Sequence, residues 1–467
     1  MKRSSGTYVG EQIPTDEENM PVSPKVQKRC TGLSESGTSC DVDYDECFFY
    51  YIPLYIWEQI LLRLPFKSIF RMRCVCKSWL SLTLTPSFVR SYCLLARQRL
   101  SIFALNPPWT LLYSYTCGQQ FKLIPEERKL SHLCSSDHKS PQFSVLLSTA
   151  RSQFQIVAEN AGLLLLRRSQ MHGGDYLVCN PITKKVVALP PIPCPVTALQ
   201  TGREEHHAFH RAYFSGSTSH KSPGLIVTVQ DYLFTRYKVV VPVYSNKKVD
   251  PAGNLRFSVF CSQHGKWTDE VLIHHRPIYL EFSCLSEPVT LNESIYWPDY
   301  GRGLLLAYQA AIGNSGEACA NLIKVPRIYN GQNQYSMCGS SGGNLRYLWV
   351  CSVDGKVMVE VWELEDLKSE NWSMKHTSDW SNVWSEDETL CKKLLDTSNY
   401  LKPRFLPVAF DPFDPDVIYL HDRECIVSYN LQCRRLDTVC DPRSEFLGIC
   451  WWYMRPFVLP LWPAIIP

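Results

Sequence analysis

The sequence lacks an excess of charge of either sign and lacks the short motifs of several enzyme classes. Its 48 Lys and Arg against 45 Asp and Glu leave a formal charge of +3, so we expect no nucleic-acid or acidic membrane partner for the whole chain. Neither a Gly-x-x-x-x-Gly-Lys-Ser loop nor a His-Glu-x-x-His helix occurs. We therefore predict no nucleotide hydrolysis, acyl transfer or metalloproteolysis, no catalytic residues and no cofactor.

A secretory signal is also missing, although the chain contains 20 cysteines. Met1–Ser4 are followed by polar and acidic residues instead of the apolar segment that a signal peptide requires. We therefore expect reduced thiols and an intracellular protein, in the nucleus, the cytoplasm or both. Cys179, Cys351 and Cys450 stand in apolar runs and are predicted to be small core residues.

An uninterrupted apolar run that spans a membrane is absent as well. The segment from Phe446 to Pro467 is apolar apart from Arg455, but a membrane helix needs about 20 consecutive apolar residues. Four prolines break this one: Pro456, Pro460, Pro463 and Pro467. We predict a closing strand followed, over residues 461–467, by an extended C-terminal tail that packs on the protein, and no membrane partner.

Two groups of His and Cys residues lack the paired spacing that is typical of zinc sites. We therefore predict no metal site. The first group is Cys117, His132, Cys134 and His138, and the second is His206, His207, His210 and His220.

The chain begins with a polar segment and continues with a helical one. Residues 1–47 are rich in Ser, Thr, Gly, Asp and Glu and are predicted to be a disordered leader. Within residues 48–95, a first helix is predicted after Pro53, where apolar residues recur at helical spacing until Pro65. Two more short helices are predicted to follow, with a bend near Cys76 and with Pro86 closing the unit. So short a segment is expected to fold against something else.

Acidic residues are absent between Glu58 and Glu126. Basic residues populate the same window: Arg63, Lys67, Arg71, Arg73, Lys77, Arg90, Arg97 and Arg99. The sequence leaves three interpretations open: a solvated helix surface, a face for an acidic protein, or a face for nucleic acid.

Residues 96–460 contain recurrent short β-type runs separated by turn residues, for example Leu163–Leu166, Leu304–Tyr308 and Val417–Leu420. A loose period of about 45 to 50 residues predicts a degenerate kelch-like β-propeller, and a large β-sandwich is the alternative. The fold class is thus α+β multidomain, with three helices before a mainly β domain. The insertions at 201–223 and 313–343 are candidate binding loops.

The helical segment resembles an F-box, the module that binds the Skp-type adaptor of cullin-RING ubiquitin ligases. The family pattern is met by Ile52-Pro53, Ile60-Leu61, Arg63-Leu64-Pro65 and Val75-Cys76-Lys77-Ser78-Trp79. Ile52 stands where the family usually has Leu, and Tyr55-Ile56-Trp57 is less acidic than usual. The resemblance implies an adaptor-binding face formed by Pro53, Leu54, Ile60, Leu61, Leu64, Pro65, Val75, Cys76 and Trp79; the alternative is that these residues pack on the β domain.

The β region resembles the F-box-associated region of plant F-box proteins with kelch-like propellers. The matching segments are Asn160–Leu164, Val178–Lys184, Val361–Leu364, Pro407–Pro412 and Leu461–Pro463. The two resemblances imply a non-catalytic subunit of an SCF-type (Skp-cullin-F-box) ubiquitin ligase, which holds an unknown protein substrate and reaches cullin and RING subunits through the adaptor. The alternative is a β-propeller scaffold or ligand-binding protein, for a glycan or a small metabolite, that no longer acts in ubiquitination.

Overall fold

The structure is a computed structural model. It describes residues 52–102, 107, 109–114, 121–124, 154–168, 176–193, 223–230, 234–243, 254–273, 285–311, 317–328, 334–353, 356–367, 370–395, 405–422, 425–440, 455–463 and 466. Contacts divide the chain into two units, residues 1–54 and 55–467. The leader predicted over residues 1–47 lies outside the described residues.

Among the described residues, four helices precede the first strand. The three predicted helices are α1 (Leu54–Leu61), α2 (Phe66–Met72) and α3 (Lys77–Thr83). The predicted end of the unit at Pro86 is wrong, because Pro86 is the first residue of a longer helix, α4 (Pro86–Ile102). Proline is tolerated there, since the first residue of a helix has no intrahelical acceptor for its N–H.

The β region is a propeller built from four-stranded antiparallel sheets, called blades 1 to 5, each formed by consecutive strands. Blade 1 contains β3 (Phe154–Asn160), β4 (Leu163–Arg168), β5 (Tyr176–Asn180) and β6 (Lys185–Ala188), and blade 2 contains β7 (Gly224–Gln230), β8 (Phe234–Pro242), β9 (Asn254–Cys261) and β10 (Lys266–Ile273). Blade 3 contains β11 (Val289–Leu291), β12 (Ser294–Asp299), β13 (Leu304–Gln309) and β14 (Cys319–Lys324). Blade 4 contains β15 (Gln334–Ser341), β16 (Asn344–Val353), β17 (Lys356–Asp366) and β18 (Asn371–Asp379), and blade 5 contains β19 (Leu406–Phe410), β20 (Val417–Asp422), β21 (Cys425–Asn430) and β22 (Arg435–Cys440).

A smaller, three-stranded sheet joins the two ends of the β region. It contains β1 (Trp109–Ser114), β2 (Phe121–Ile124) and β23 (Arg455–Val458), in the order β2-β1-β23. Trp109 is opposite Val458 in the antiparallel pair of β1 and β23. Strand β23 contacts β19 of blade 5 on one side and β3 of blade 1 on the other. The predicted closing strand is therefore confirmed, and it completes a ring.

The apolar cores lie between neighbouring sheets, because successive residues of a strand face opposite sides of its sheet. In blade 2, Leu225 and Val239 pack in the core shared with blade 1, whereas Ile226 and Val240 pack in the core shared with blade 3. Further cores join blade 3 to blade 4 and blade 4 to blade 5. The three-stranded sheet shares one core with blade 5 and one with blade 1.

A helical insertion interrupts the described part of the β region after blade 4. A 3-10 turn (Trp380–Asn382) and a helix, α5 (Glu388–Leu395), follow β18. Between them, Trp384 forms a parallel bridge to Arg435 of β22. Since β22 is the last strand in its sheet, the insertion covers an edge that would otherwise be open to pairing with another chain.

Candidate functional site

The helices divide the nine predicted adaptor-binding residues between a surface and an interior. Ile60 and Val75 are 39% and 61% exposed, and Leu64 is half-buried. Leu61 and Trp79 are only 1% and 8% exposed. The other four, Pro53, Leu54, Pro65 and Cys76, are exposed.

Leu61 and Trp79 therefore do not belong to the predicted surface. The Trp79 ring lies 4.8 Å from the ring of Trp57, and both Leu61 and Trp79 are members of the core that the helices enclose. Their apolar character made them candidates for a docking face, but the same spacing on a short helix also serves internal packing. Leu61 and Trp79 instead stabilise the helices that carry the exposed residues.

The turn that presents Val75 is held by hydrogen bonds on both sides. The Cys76 Sγ accepts a hydrogen bond from the Trp79 backbone N at 3.5 Å and so caps the start of α3. On the other side, Arg73 donates to the Thr83 Oγ1 at 3.1 Å and to the Thr83 carbonyl at 2.9 Å. The apolar side chain of Val75 is thus exposed to solvent on a turn whose conformation is fixed by hydrogen bonds.

The acid-free window forms a basic surface, although two of its arginines are half-buried. Arg73 lies against Phe70, its guanidinium 4.1 Å from the ring centroid, and burial lowers the pKa of its guanidinium. Arg99 is half-buried and donates to the Leu62 carbonyl at 3.3 Å. The exposed basic residues are Arg63, Arg71, Lys77, Arg90 and Arg97. This surface lies on the same helices as the exposed apolar residues, and the window contains no acidic residue, a combination that suits an acidic protein.

Of the two segments predicted as candidate binding loops, the first lies almost entirely outside the described residues and the second consists largely of strands where it is described. Residues 201–222 are not described, and the interval 313–343 contains the strands β14 and β15. Residues 317–328 and 334–343 are thus largely blade structure. Both candidate zinc groups also lie outside the described residues. Within the described part of the chain, no group of three or more His, Cys, Asp and Glu side chains is placed to hold a metal ion.

Residues 339–343 have a Gly-x-Ser-x-Gly spacing, although no acyl-transfer motif was predicted. The structure places it in the hairpin between β15 and β16, where Gly342 and Gly343 have φ of +59° and +82°. Ser341 is buried and donates from its Oγ to the Asp411 carbonyl at 2.6 Å. A nucleophile elbow requires a turn from a strand into a helix with an exposed serine. The spacing at 339–343 is therefore not a nucleophile elbow, and Ser341 has a structural role.

The described thiols that lie in apolar runs are core residues. Cys179 and Cys351 are buried, as predicted, whereas Cys450 lies outside the described residues. Burial raises the pKa of the Cys179 thiol to about 12 and that of Cys351 to about 11. Both thiols are therefore protonated at neutral pH and are poor nucleophiles.

A charged cluster ties three sheets together where the ring closes. Arg455 of β23 donates through Nη2 to the Val157 carbonyl at 3.0 Å and to the Glu287 Oε2 at 2.7 Å, and through Nη1 to the Pro288 carbonyl at 3.2 Å. These partners belong to blade 1 and to the segment that enters blade 3. Burial raises the pKa of Glu159 to about 7, against the opposing effect of Arg455.

The elevated pKa of Glu159 gives a testable pH dependence. Because its pKa in the folded chain lies above the ordinary value of 4.5, its contribution to stability is complete below pH 4.5 and is lost as pH rises through 7. We expect Glu159→Gln to stabilise the chain at pH 8 by on the order of 2 kcal/mol and to change little at pH 4.5. Denaturant unfolding at the two pH values measures this, with exposed Glu317→Gln as the control; equal effects at both pH values would contradict it.

No helix in the described part of the chain is long and apolar enough to cross a membrane.

Comparisons with known proteins agree with this architecture. A family model described as "F-box protein At3g26010-like, beta-propeller" matches residues 132–455, and the F-box domain model matches residues 50–91. The F-box protein At1g49990 of Arabidopsis thaliana is 22% identical over 399 residues, which cover 80% of this chain and 84% of the relative. The Arabidopsis thaliana F-box protein At5g49610 is 24% identical over 325 residues, covering 68% of this chain and 76% of that protein.

Solved structures add only a distant similarity. A chain of a nidogen/laminin complex aligns with a TM-score of 0.34 and 10% identity, over 76% of this chain and 99% of that one. Since the propeller model spans more than half of the chain, with an F-box before it, the chain belongs to the plant-type F-box proteins that carry an At3g26010-like β-propeller.

Proposed function

We propose that this protein is the substrate-recognition subunit of an SCF-type ubiquitin ligase. The helices α1 to α4 bind a Skp-type adaptor and, through it, cullin and RING subunits, and the propeller binds a protein target. The subunit itself is non-catalytic and acts in the nucleus, the cytoplasm or both. The chemistry belongs to a separately charged enzyme, and this chain contributes proximity.

The observation that carries the proposal is a set of large apolar side chains exposed on helices α1 to α4, here called the helical unit. These helices already enclose a core of their own. Tyr55, Ile60, Val75, Leu80 and Leu84 are all exposed, between 39% and 65%. They are not needed to complete the core, which is filled by other residues. Apolar surface of this kind marks a site for a protein partner.

The free energy expected from burying these apolar side chains is large enough for a stable adaptor complex. Fully burying one side chain of Val, Leu or Ile stabilises by about 1.5 to 3 kcal/mol. A few such residues at the centre of an interface therefore supply most of a submicromolar affinity. The exposed basic residues around them favour an acidic partner and accelerate its association.

The direct test is reconstitution. We expect the chain, co-expressed with a plant Skp-type adaptor, to elute from size-exclusion chromatography as a one-to-one complex that then captures a cullin-RING pair. Affinity purification from plant cells with the proteasome blocked should recover the adaptor together with candidate substrates. Elution of the two chains as separate species would contradict the proposal.

A further inference from the structure

The segment that follows the closing strand, residues 459–466, is here called the C-terminal strap. Its described residues contact three parts of the molecule. Pro460 lies against Gly162 in blade 1, and Trp462 is buried among the helices. Ile466 is buried in the core between blades 1 and 2, and its carbonyl accepts a hydrogen bond from the Lys185 Nζ of blade 1. The tail predicted over residues 461–467 therefore packs into both the helical unit and the propeller.

Trp462 occupies a cage of aromatic rings in the helical unit. Its ring centroid lies 5.7 Å from those of Phe66 and Phe70, 6.3 Å from that of Phe88 and 5.5 Å from that of Tyr92. The rings meet at tilted or edge-on angles, a favourable geometry for aromatic pairs. Two helices supply the rings of this cage: Phe66 and Phe70 belong to α2, and Phe88 and Tyr92 belong to α4. Arg73, which follows α2 and donates to Thr83 at the end of α3, has its guanidinium 5.1 Å from the Trp462 ring.

Trp462 is distant in sequence from most other residues of the helical core in which it packs. Among the described residues of this core, Leu461 and Trp462 are the members that come from outside residues 57–96. They follow β23, a strand fixed in the propeller ring by its pairing with β1. The strap thus places a large side chain, anchored on the propeller at both ends, inside the helical unit.

The propeller leaves room for the strap at Gly162. This residue has a φ of +81°, and a Cβ at this position would lie 2.7 Å from the Pro460 Cγ. Glycine is therefore required at this position for two reasons: the backbone is left-handed, and the close approach of Pro460 leaves no room for a Cβ. The segments around Gly162 and Trp462 both belong to the resemblance described in the sequence analysis. The structure brings them together where Pro460 packs against Gly162.

From these contacts we propose that the C-terminal strap fixes the direction in which the helical unit projects from the propeller, with Trp462 as its positioning residue. This inference rests on the proposed function for its consequence: a fixed direction determines which part of a bound protein faces the ubiquitin-charged enzyme. Small changes in such geometry have large effects on a reaction that depends on proximity.

The test measures the distance between the two parts directly. Spin labels carried by noncanonical amino acids replace two exposed residues, Leu94 on α4 and Val271 on β10, because the 20 native cysteines preclude thiol labelling. We expect a single narrow distance distribution for the otherwise unchanged full chain. Trp462→Ala should broaden it at least about twofold, since the change empties the aromatic cage.

Two further variants keep the test decisive. Trp462→Phe retains an aromatic ring and should stay narrow, and Trp384→Ala, which removes an exposed tryptophan on the outer edge of blade 5, should have no effect. If Trp462→Ala does not fold, Trp462→Leu takes its place, because leucine keeps the site apolar. A distribution as narrow in the Ala or Leu variant as in the unchanged chain would overturn the inference.

The test separates this inference from the proposed function. Adaptor binding by Trp462→Ala should persist, because Ile60 and Val75 remain in place. If the unchanged chain binds no adaptor, the proposed function fails, whereas the distance measurement still decides whether the strap positions the helices.

Discussion

Replacing both Ile60 and Val75 by Gln is expected to weaken binding of a Skp-type adaptor about 100-fold, since each position contributes about 1.5 kcal/mol when buried. Both side chains are exposed in the free chain, so the change should leave the fold intact. Gln adds no charge, so the basic surface around the two positions is unchanged, and it is a good helix former at position 60. Titration calorimetry with purified adaptor measures the loss.

The matched control carries the same substitution at two exposed apolar residues away from α1 and the α2–α3 turn. Val229 and Val271, both on the propeller, are 42% and 50% exposed, and Val229→Gln with Val271→Gln should bind adaptor like the unchanged chain. An affinity for the Ile60 and Val75 variant within about threefold of the unchanged chain would show that the adaptor binds elsewhere. Circular dichroism of both double variants establishes that they are folded.

Trp79 illustrates why the surface residues make the sharper experiment. Trp79 is part of the resemblance that suggested adaptor binding, yet it is buried against Trp57. Trp79→Ala should remove about 3 to 5 kcal/mol of core packing. Loss of adaptor binding in that variant would follow from unfolding of the helices as readily as from loss of a contact.

The periodic features of the chain were predictable from sequence, because local pattern determines them. Short apolar runs between turn residues located the central strands of the blades, such as β4 and β20, and helical spacing located α1 to α3. The propeller rather than a sandwich was also the correct interpretation. Edge strands with mixed burial, such as β14 and β18, lacked the apolar alternation and were not recognised.

Long-range partners were not predictable, because nothing in the local pattern encodes them. The sequence does not show that Leu61 faces the inside of its unit and Ile60 the outside, since both satisfy the same helical spacing. Nor does it show that Trp462 packs against helices some 370 residues earlier. Pro86 was interpreted as a stop although Thr85, directly before it, is a typical N-cap residue: its Oγ1 accepts a hydrogen bond from the Phe88 backbone N at 3.3 Å, and proline after such a cap is typical of the start of a helix.

Arg455→Met is expected to destabilise the propeller by about 3 kcal/mol. Met approximates the volume of the aliphatic part of Arg but cannot donate hydrogen bonds. The change leaves Glu287 and the carbonyls of Val157 and Pro288 without their donor at the point where the ring closes. Thermal unfolding at pH 8 measures the effect, and Arg435→Met, which removes ion pairs with the solvent-accessible carboxylates of Glu386 and Asp437, should cost much less.

The loss should depend on pH, which distinguishes an unpaired carboxylate from lost packing. Arg455 holds down the pKa values of Glu159 and Glu287, and burial raises both. Without Arg455 both carboxyl groups take up protons more readily, so lowering the pH from 8 to 5 shifts them toward the neutral form in the folded variant and the missing cation matters less. Arg455→Met should therefore be closer in stability to the unchanged chain at pH 5 than at pH 8, and adding Glu287→Gln should recover part of the loss at pH 8. An equal loss at both pH values, with no recovery, would assign the role of Arg455 to its hydrogen bonds with the two carbonyls instead of its charge.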